Sequence, residues 1–131
     1  MKKHLEELAG RHQSLRDVML DKGLAALGDA LVNFAYSLAL SLDLGRPTGN
    51  RLDNRALSEA LRTSGLRETA PKRMSRHDLA NAAEALLAYG WLKGFLSFWE
   101  LVEALRGQNI TSSLSGLLKK VAEEALASGH M

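Results

Sequence analysis

Two carboxylates stand where the hydropathy pattern asks for apolar side chains. Asp29 is the only charged residue between Leu24 and Leu42, and it lies about 200° around a helix from Leu27 and from Leu31. Glu84 sits among Ala82, Ala83, Ala85, Leu86 and Leu87. An unpaired buried carboxylate is expensive, so each needs a cation, a proton or a set of hydrogen bonds. Asn81 precedes Glu84 by three residues and shares its helix face, and Asn33 lies one turn beyond Asp29. Two helices crossing with these faces together would gather Asp29, Asn81 and Glu84 into an all-oxygen cluster. That is the ligand chemistry of Mg²⁺ rather than of zinc. The same spacing fits a polar seam without a metal, with Asp29 and Glu84 hydrogen-bonded to Asn81, Asn33, Tyr36 or an arginine. The flanking alanines leave the carboxylates accessible to a large ligand.

The elements that must position these residues all read as helices, since no stretch alternates with period two. Leu5 and Leu8 suggest a short helix ended near Gly10, and Ser14-Leu15-Arg16-Asp17 resembles a capping box that opens a second one. Asp21 caps a long helix to about Asp43, stopped by Gly45 and Pro47. Its stripe of Leu24, Leu27, Leu31, Phe34 and Leu38 is matched by an apolar or small opposite side, the pattern of a central bundle helix. Leu24–Leu42 spans 19 residues and is long enough to cross a membrane. A mid-helix Asp costs about 3 kcal/mol on insertion scales, which favours a soluble core. Asp53 or Asn54 caps a helix ended by Gly65. Ser75-Arg76-His77-Asp78 opens one to about Gly90 or Trp91, Ser97-Phe98-Trp99-Glu100 opens one to Gly107, and the last begins near Ser113. The tail Ser128-Gly129-His130-Met131 reads as a vector remnant or a frayed end.

The fold class expected is therefore all-α, in a single domain spanning residues 1–131, which is room for one core. With no cysteine, disulfides, thiolate zinc sites and cysteine nucleophiles are excluded, and the absence of an export signal points to the cytoplasm. The histidines (His4, His12, His77, His130) form no i, i+4 pair, and no phosphate loop or nucleophile elbow occurs. The net charge of +2 is unevenly spread. Between Arg46 and His77 stand eight basic residues against three acidic ones, a segment of +5 in a remainder of −3. Such asymmetry suggests either a basic face that meets an anion or a solvated surface. Trp91, Phe95, Phe98 and Trp99 fall at helical spacing and read as core or dimer interface rather than a base-stacking platform.

Leu24-Ala25-Ala26-Leu27-Gly28-Asp29-Ala30-Leu31 resembles the signature helix of ribonuclease III domains, usually E-R-L-E-F-L-G-D-A-V. Asn81-Ala82-Ala83-Glu84-Ala85-Leu86 is similar to the second motif, D-x-x-E-A-L, and Ala88-Tyr89-Gly90-Trp91 follows it as a small-aromatic stretch does in the family. Asn54, Leu57, Leu61, Gly65 and Leu66 fall between the two in the expected order. The resemblance covers about Leu15–Gly107, leaving 108–131 as a C-terminal helix and tail, and is nearest to the small archaeal ribonuclease III-like proteins.

The resemblance implies Mg²⁺- or Mn²⁺-dependent cleavage of double-stranded RNA by an all-helical homodimer. It places Asp29 and Glu84 as catalytic metal ligands. Ala25 stands where a metal-binding Glu belongs, Asn81 where an Asp belongs, and Lys22 where the first motif begins with Glu. Two of four ligand positions have thus lost their charge. Asp21, two turns before Asp29, is one candidate to replace the missing Glu. Otherwise Asn81 is a natural or engineered Asp-to-Asn replacement that weakens catalysis, or the chain binds RNA or merely dimerises without cutting. Arg46, Arg51, Arg55, Arg62, Lys72, Arg73 and Arg76 become the expected RNA contacts, because duplex RNA is recognised largely through phosphates and 2′-hydroxyls. After Gly107 there is room for one helix but not for a separate double-stranded-RNA-binding domain.

Overall fold

Most helix starts are set by side-chain caps. In a computed structural model describing residues 2–129, seven α-helices and no strand are present among the described residues. They are α1 (Lys2–Leu8), α2 (Leu15–Met19), α3 (Lys22–Leu44), α4 (Asn54–Thr63), α5 (Arg76–Lys93), α6 (Phe98–Ala104) and α7 (Ile110–Ala127). Met1, and His130 and Met131 of the tail, lie outside the described residues. Asp21 caps α3 by accepting from the Leu24 amide at 3.0 Å, and Asp53 caps α4. Ser75 with Asp78 and Ser97 with Glu100 form complete capping boxes at α5 and α6. The predicted box at α2 is only half made: Ser14 accepts from the Asp17 amide, but the Asp17 carboxylate takes the amide of Gln13 instead. Gly45 closes α3 in the left-handed region (φ 74°), a conformation costly for a side chain with a Cβ.

The expectation that α3 is the central helix is overturned. That place belongs to α5, which buries twelve of its eighteen residues, including every one from Ala82 to Gly90. Helix α3 buries Leu24, Gly28, Val32, Ala35 and Ala39, its narrow-residue face, and packs chiefly on α5. Of the predicted stripe only Leu24 is buried; Leu27 and Phe34 are exposed and Leu31 and Leu38 half-buried. The cause is the partner. Helix α5 presents alanines, so the helices approach closely and only small or β-branched side chains fit the crossing, leaving the larger apolar ones outside. By length and composition α3 could cross a membrane, yet one of its faces is committed to α5.

Two boundaries also differ. Helix α5 continues past Gly90 to Lys93, because Gly90 is an interior residue against which Val121 of α7 packs. Helix α7 begins at Ile110, three residues before Ser113, and Asn109 supplies no side-chain cap. Nothing polar announces that start, and packing of Ile110 on the core holds it. Helix α7 lies on α4 and α5 and completes the core through Leu114, Leu118, Val121 and Ala125.

Candidate metal and nucleic-acid site

The crossing of α3 and α5 is tightest at Gly28. A Cβ there would overlap the carbonyl oxygen of Glu84 and stand 2.9 Å from its Cβ. Asp29 and Glu84, on facing helices, therefore come close enough for Asp29 to act on the Glu84 carboxyl. Their surroundings differ. Glu84 is 3% exposed, whereas the Asp29 side chain is 44% exposed, so only one of the two carboxylates expected to be buried is so.

Burial is the main force on Glu84; the charge of Asp29 adds to that, and Arg51 opposes. Together they push the Glu84 carboxyl up to about 8. At neutral pH Glu84 keeps its proton, which spares the crossing a second buried negative charge beside Asp29. Asp29 also accepts from Arg51 (Nη2 to Oδ1, 2.8 Å) and from the Asn33 amide (3.2 Å), which reaches the Asp29 carbonyl at 2.8 Å as well. Asn33 is fixed from its other end, where its Oδ1 accepts from the Leu52 amide at 2.8 Å. That last bond ties the loop carrying Arg51 to α3.

Asp29 and Asn81 line one cleft of about 460 Å³ together with Lys22, Ala25, Ala26 and His77. Ala25 and Ala26 form an open wall where a longer acidic side chain would reach in. Asp21 and Asn81 share a smaller neighbouring cavity with Lys22, Ala25, Met74 and Asp78. Both Asp21 oxygens are occupied: Oδ1 by the Leu24 amide, and Oδ2 by His12 Nε2 at 2.9 Å. Burial raises the Asp21 pKa, but the amides and His12 outweigh it and the carboxyl lies below its usual range. Asp21→Ala removes the cap of α3 and should cost about 1 kcal/mol in urea unfolding at pH 7. The deficit should vanish as the pH falls through the lowered Asp21 pKa, where the wild-type cap is itself protonated. A deficit independent of pH would refute that account.

Two residues of this network carried no usable sequence signal as part of it. The His12 ring is 7% exposed, packs edge-on against Tyr89 (5.7 Å between centroids), and has a buried Nδ1 without a partner among the described residues. Arg51 stood out only as one cation among eight, yet it is the one placed on Asp29. The other cations read as RNA contacts, Arg46, Arg55, Arg62, Lys72, Arg73 and Arg76, are all exposed. Arg62 is paired with Glu59 (2.9 Å), one turn before it on α4. Arg67, also in the basic segment, is structural: its guanidinium donates to the carbonyls of Pro71 and Lys72 and shapes the loop before α5.

As a metal site the arrangement is partial. Among the described residues no group of three or more His, Cys, Asp or Glu side chains is placed to hold one ion. Two carboxyls and the Asn81 amide could hold a cation with water completing the shell, after Arg51 leaves Asp29 and Glu84 loses its proton. The donor set fits Mg²⁺ or Mn²⁺ in kind and is short of it in charge.

Comparison with curated proteins gives no match. The family profile described as ribonuclease III matches residues 22–129, from the first residue of α3 to just beyond α7. That match takes in both acidic motifs and the helices that cross at Gly28, and on it the chain belongs to the ribonuclease III family.

Proposed function

We propose that this chain acts on double-stranded RNA as a metal-dependent endonuclease of reduced metal affinity, working as a homodimer. The observation that carries the reading is the meeting of Asp29 and Glu84 across α3 and α5 beside Asn81. A divalent ion bound there supplies orientation of the attacking water and relief of charge on the scissile phosphate. Asp29, Glu84 and Asn81 are the residues that would hold it; Asp21 joins only by giving up His12 or its cap. Lys22 and His77 line the cleft and, with the exposed cations Arg46, Arg55, Lys72, Arg73 and Arg76 elsewhere on the surface, would supply charge for the phosphates of a duplex.

The exposed face of α3 supports the dimer. Phe34 (63% exposed) stacks on Phe98 at 5.5 Å, and Phe98 meets Trp99 (64% exposed) edge-on. Phe34 also borders an apolar groove lined by Leu38, Leu42 and Pro47. Aromatic anchors beside a groove suit a self-complementary two-fold interface. Phe34→Glu is expected to shift the chain from dimer to monomer in sedimentation, with its helical content kept; a wild-type chain that is already monomeric removes this part of the reading.

The activity test is cleavage of a long duplex RNA with Mg²⁺ and then Mn²⁺, comparing this chain with Asn81→Asp. Restoring a carboxylate should raise the rate about tenfold or more. Cleavage by neither version would sink the enzyme reading and leave a protein that binds duplexes without cutting, a reading favoured by the Arg51 guanidinium on Asp29, where a cation would sit. Duplex affinity that does not fall with salt would count against the basic face.

A further inference from the structure

The loop that carries Arg51 is fastened to α3 along one stripe of that helix. Asp29, Asn33, Ser37 and Ser41 recur every fourth residue and so share a face. Three of them hold the backbone of the loop. The Ser41 hydroxyl accepts from the Thr48 amide at 2.9 Å. The Ser37 hydroxyl accepts from the Asn50 amide and donates to the Asn50 carbonyl, both at 2.9 Å. The Asn33 side-chain oxygen accepts from the Leu52 amide at 2.8 Å, and Leu52 itself is buried. Every second loop residue thus meets every fourth helix residue, about 6.7 Å of extended chain against about 6.0 Å of helix, so the two rises match. Both neighbours of Arg51 are fixed by this ladder, and its guanidinium meets the fourth member of the stripe, with Nη2 2.8 Å from Asp29 Oδ1.

An exposed ion pair is ordinarily weak because two long side chains must be held in one geometry. Here the ladder has already ordered the backbone that delivers one of them. The pair still faces solvent, with the Arg51 side chain 72% exposed, so the guanidinium can swing away without disturbing the fold. Asp29 is the one carboxylate in the lining of its cleft, and Arg51 is the one cation paired with it among the described residues.

We propose that Arg51 is a resident counter-cation of Asp29, which weakens divalent-ion binding in the RNA-free chain and is drawn away by a phosphate of a bound duplex, so that duplex and metal bind cooperatively. The inference rests on the metal and duplex reading above and adds the coupling between the two ligands. A phosphate takes a guanidinium through two parallel hydrogen bonds, where Asp29 takes one. With Arg51 moved, the charge of Asp29 is again available to a cation. By linkage, the factor by which the duplex raises metal affinity is the factor by which metal raises duplex affinity.

Mn²⁺ titration of the full chain, read by the paramagnetic resonance signal of the free ion, tests this without any need for cleavage. In the absence of RNA, Arg51→Gln should bind Mn²⁺ about fivefold more tightly than wild type. Ser37→Ala loosens the loop without altering charge and should gain about twofold. A short RNA duplex, with the Mn²⁺ held by the RNA alone subtracted, should bring wild type up to the affinity of Arg51→Gln and leave that variant nearly unchanged. Equal Mn²⁺ affinity in wild type and Arg51→Gln overturns the proposal and leaves the metal reading intact, whereas Mn²⁺ bound by neither protein overturns both. Ser37→Ala at the wild-type value overturns the ladder as the cause, and no gain in wild type with the duplex overturns the coupling.

Discussion

Gly28→Ala lowers the unfolding free energy by about 2 kcal/mol or more, although alanine is the better helix former. Two effects oppose each other. Replacing an interior helical glycine gains about 1 kcal/mol of propensity. The added methyl would overlap the Glu84 carbonyl oxygen and come 2.9 Å from the Glu84 Cβ. Backbone on a fully packed helix cannot rotate away, so α3 and α5 must separate, and overpacking of this kind costs about 3 kcal/mol or more. The steric term wins. Separation also draws Asp29 from Glu84, so the variant should lose whatever cation affinity the pair has. Gly116→Ala is the control, because its Cβ meets nothing within 4 Å. It should gain up to about 1 kcal/mol by propensity alone. Urea unfolding of both variants reads the difference, and an alanine at 28 that proves neutral or stabilising would refute the close crossing.

The same crossing explains what the sequence did and did not reveal. Caps were legible because they are local: Asp21, Ser75 and Ser97 each bond an amide three residues on, and short spacing is enough to see them. The start of α7 was hidden because Asn109 makes no such bond. The burial of α3 was misread because hydropathy reports a side chain's own transfer free energy, not the width of the groove it would enter. Against an alanine-rich partner, Val32, Ala35 and Ala39 go inside while Leu27 and Phe34 stay out. Gly28 sits in the signature stretch for the same reason, as the position where two backbones touch.

At the site, Asp29, Asn81 and Glu84 could be grouped from helix periodicity alone, since each lies on a helix whose facing partner the pattern suggests. Arg51 and His12 could not. Arg51 reaches Asp29 from a loop 22 residues along the chain, held there by Asn33 and the Leu52 amide. His12 reaches Asp21 from the segment before α2. Neither approach follows a helical repeat, and both change the chemistry: one places a cation on a candidate ligand, the other occupies its possible substitute.

Glu84→Gln should abolish most of the pH dependence of stability between pH 5 and pH 8. The folded chain keeps the Glu84 proton to about pH 8, while the unfolded chain releases it near 4.5. Between those values the folded state holds the extra proton, so each pH unit upward removes up to about 1.4 kcal/mol from wild-type stability. The contribution is complete below the unfolded value and gone above about 8. Asp21, Asp43 and Glu100, whose pKa values are lowered, act on the acid side of this window and do not mask it. Glutamine keeps the shape but has no proton to lose. The variant should match wild type near pH 5 and exceed it by on the order of 3 kcal/mol at pH 8. Urea unfolding across that range checks it, and parallel curves for the two proteins would refute a retained proton on Glu84. The same linkage governs metal binding to the wild type: a divalent ion must displace that proton, so affinity should climb about tenfold per pH unit toward pH 8. A buried carboxyl that stays neutral is stable without a metal, and the cost of ionising it is what a cation at Asp29 and Glu84 has to overcome.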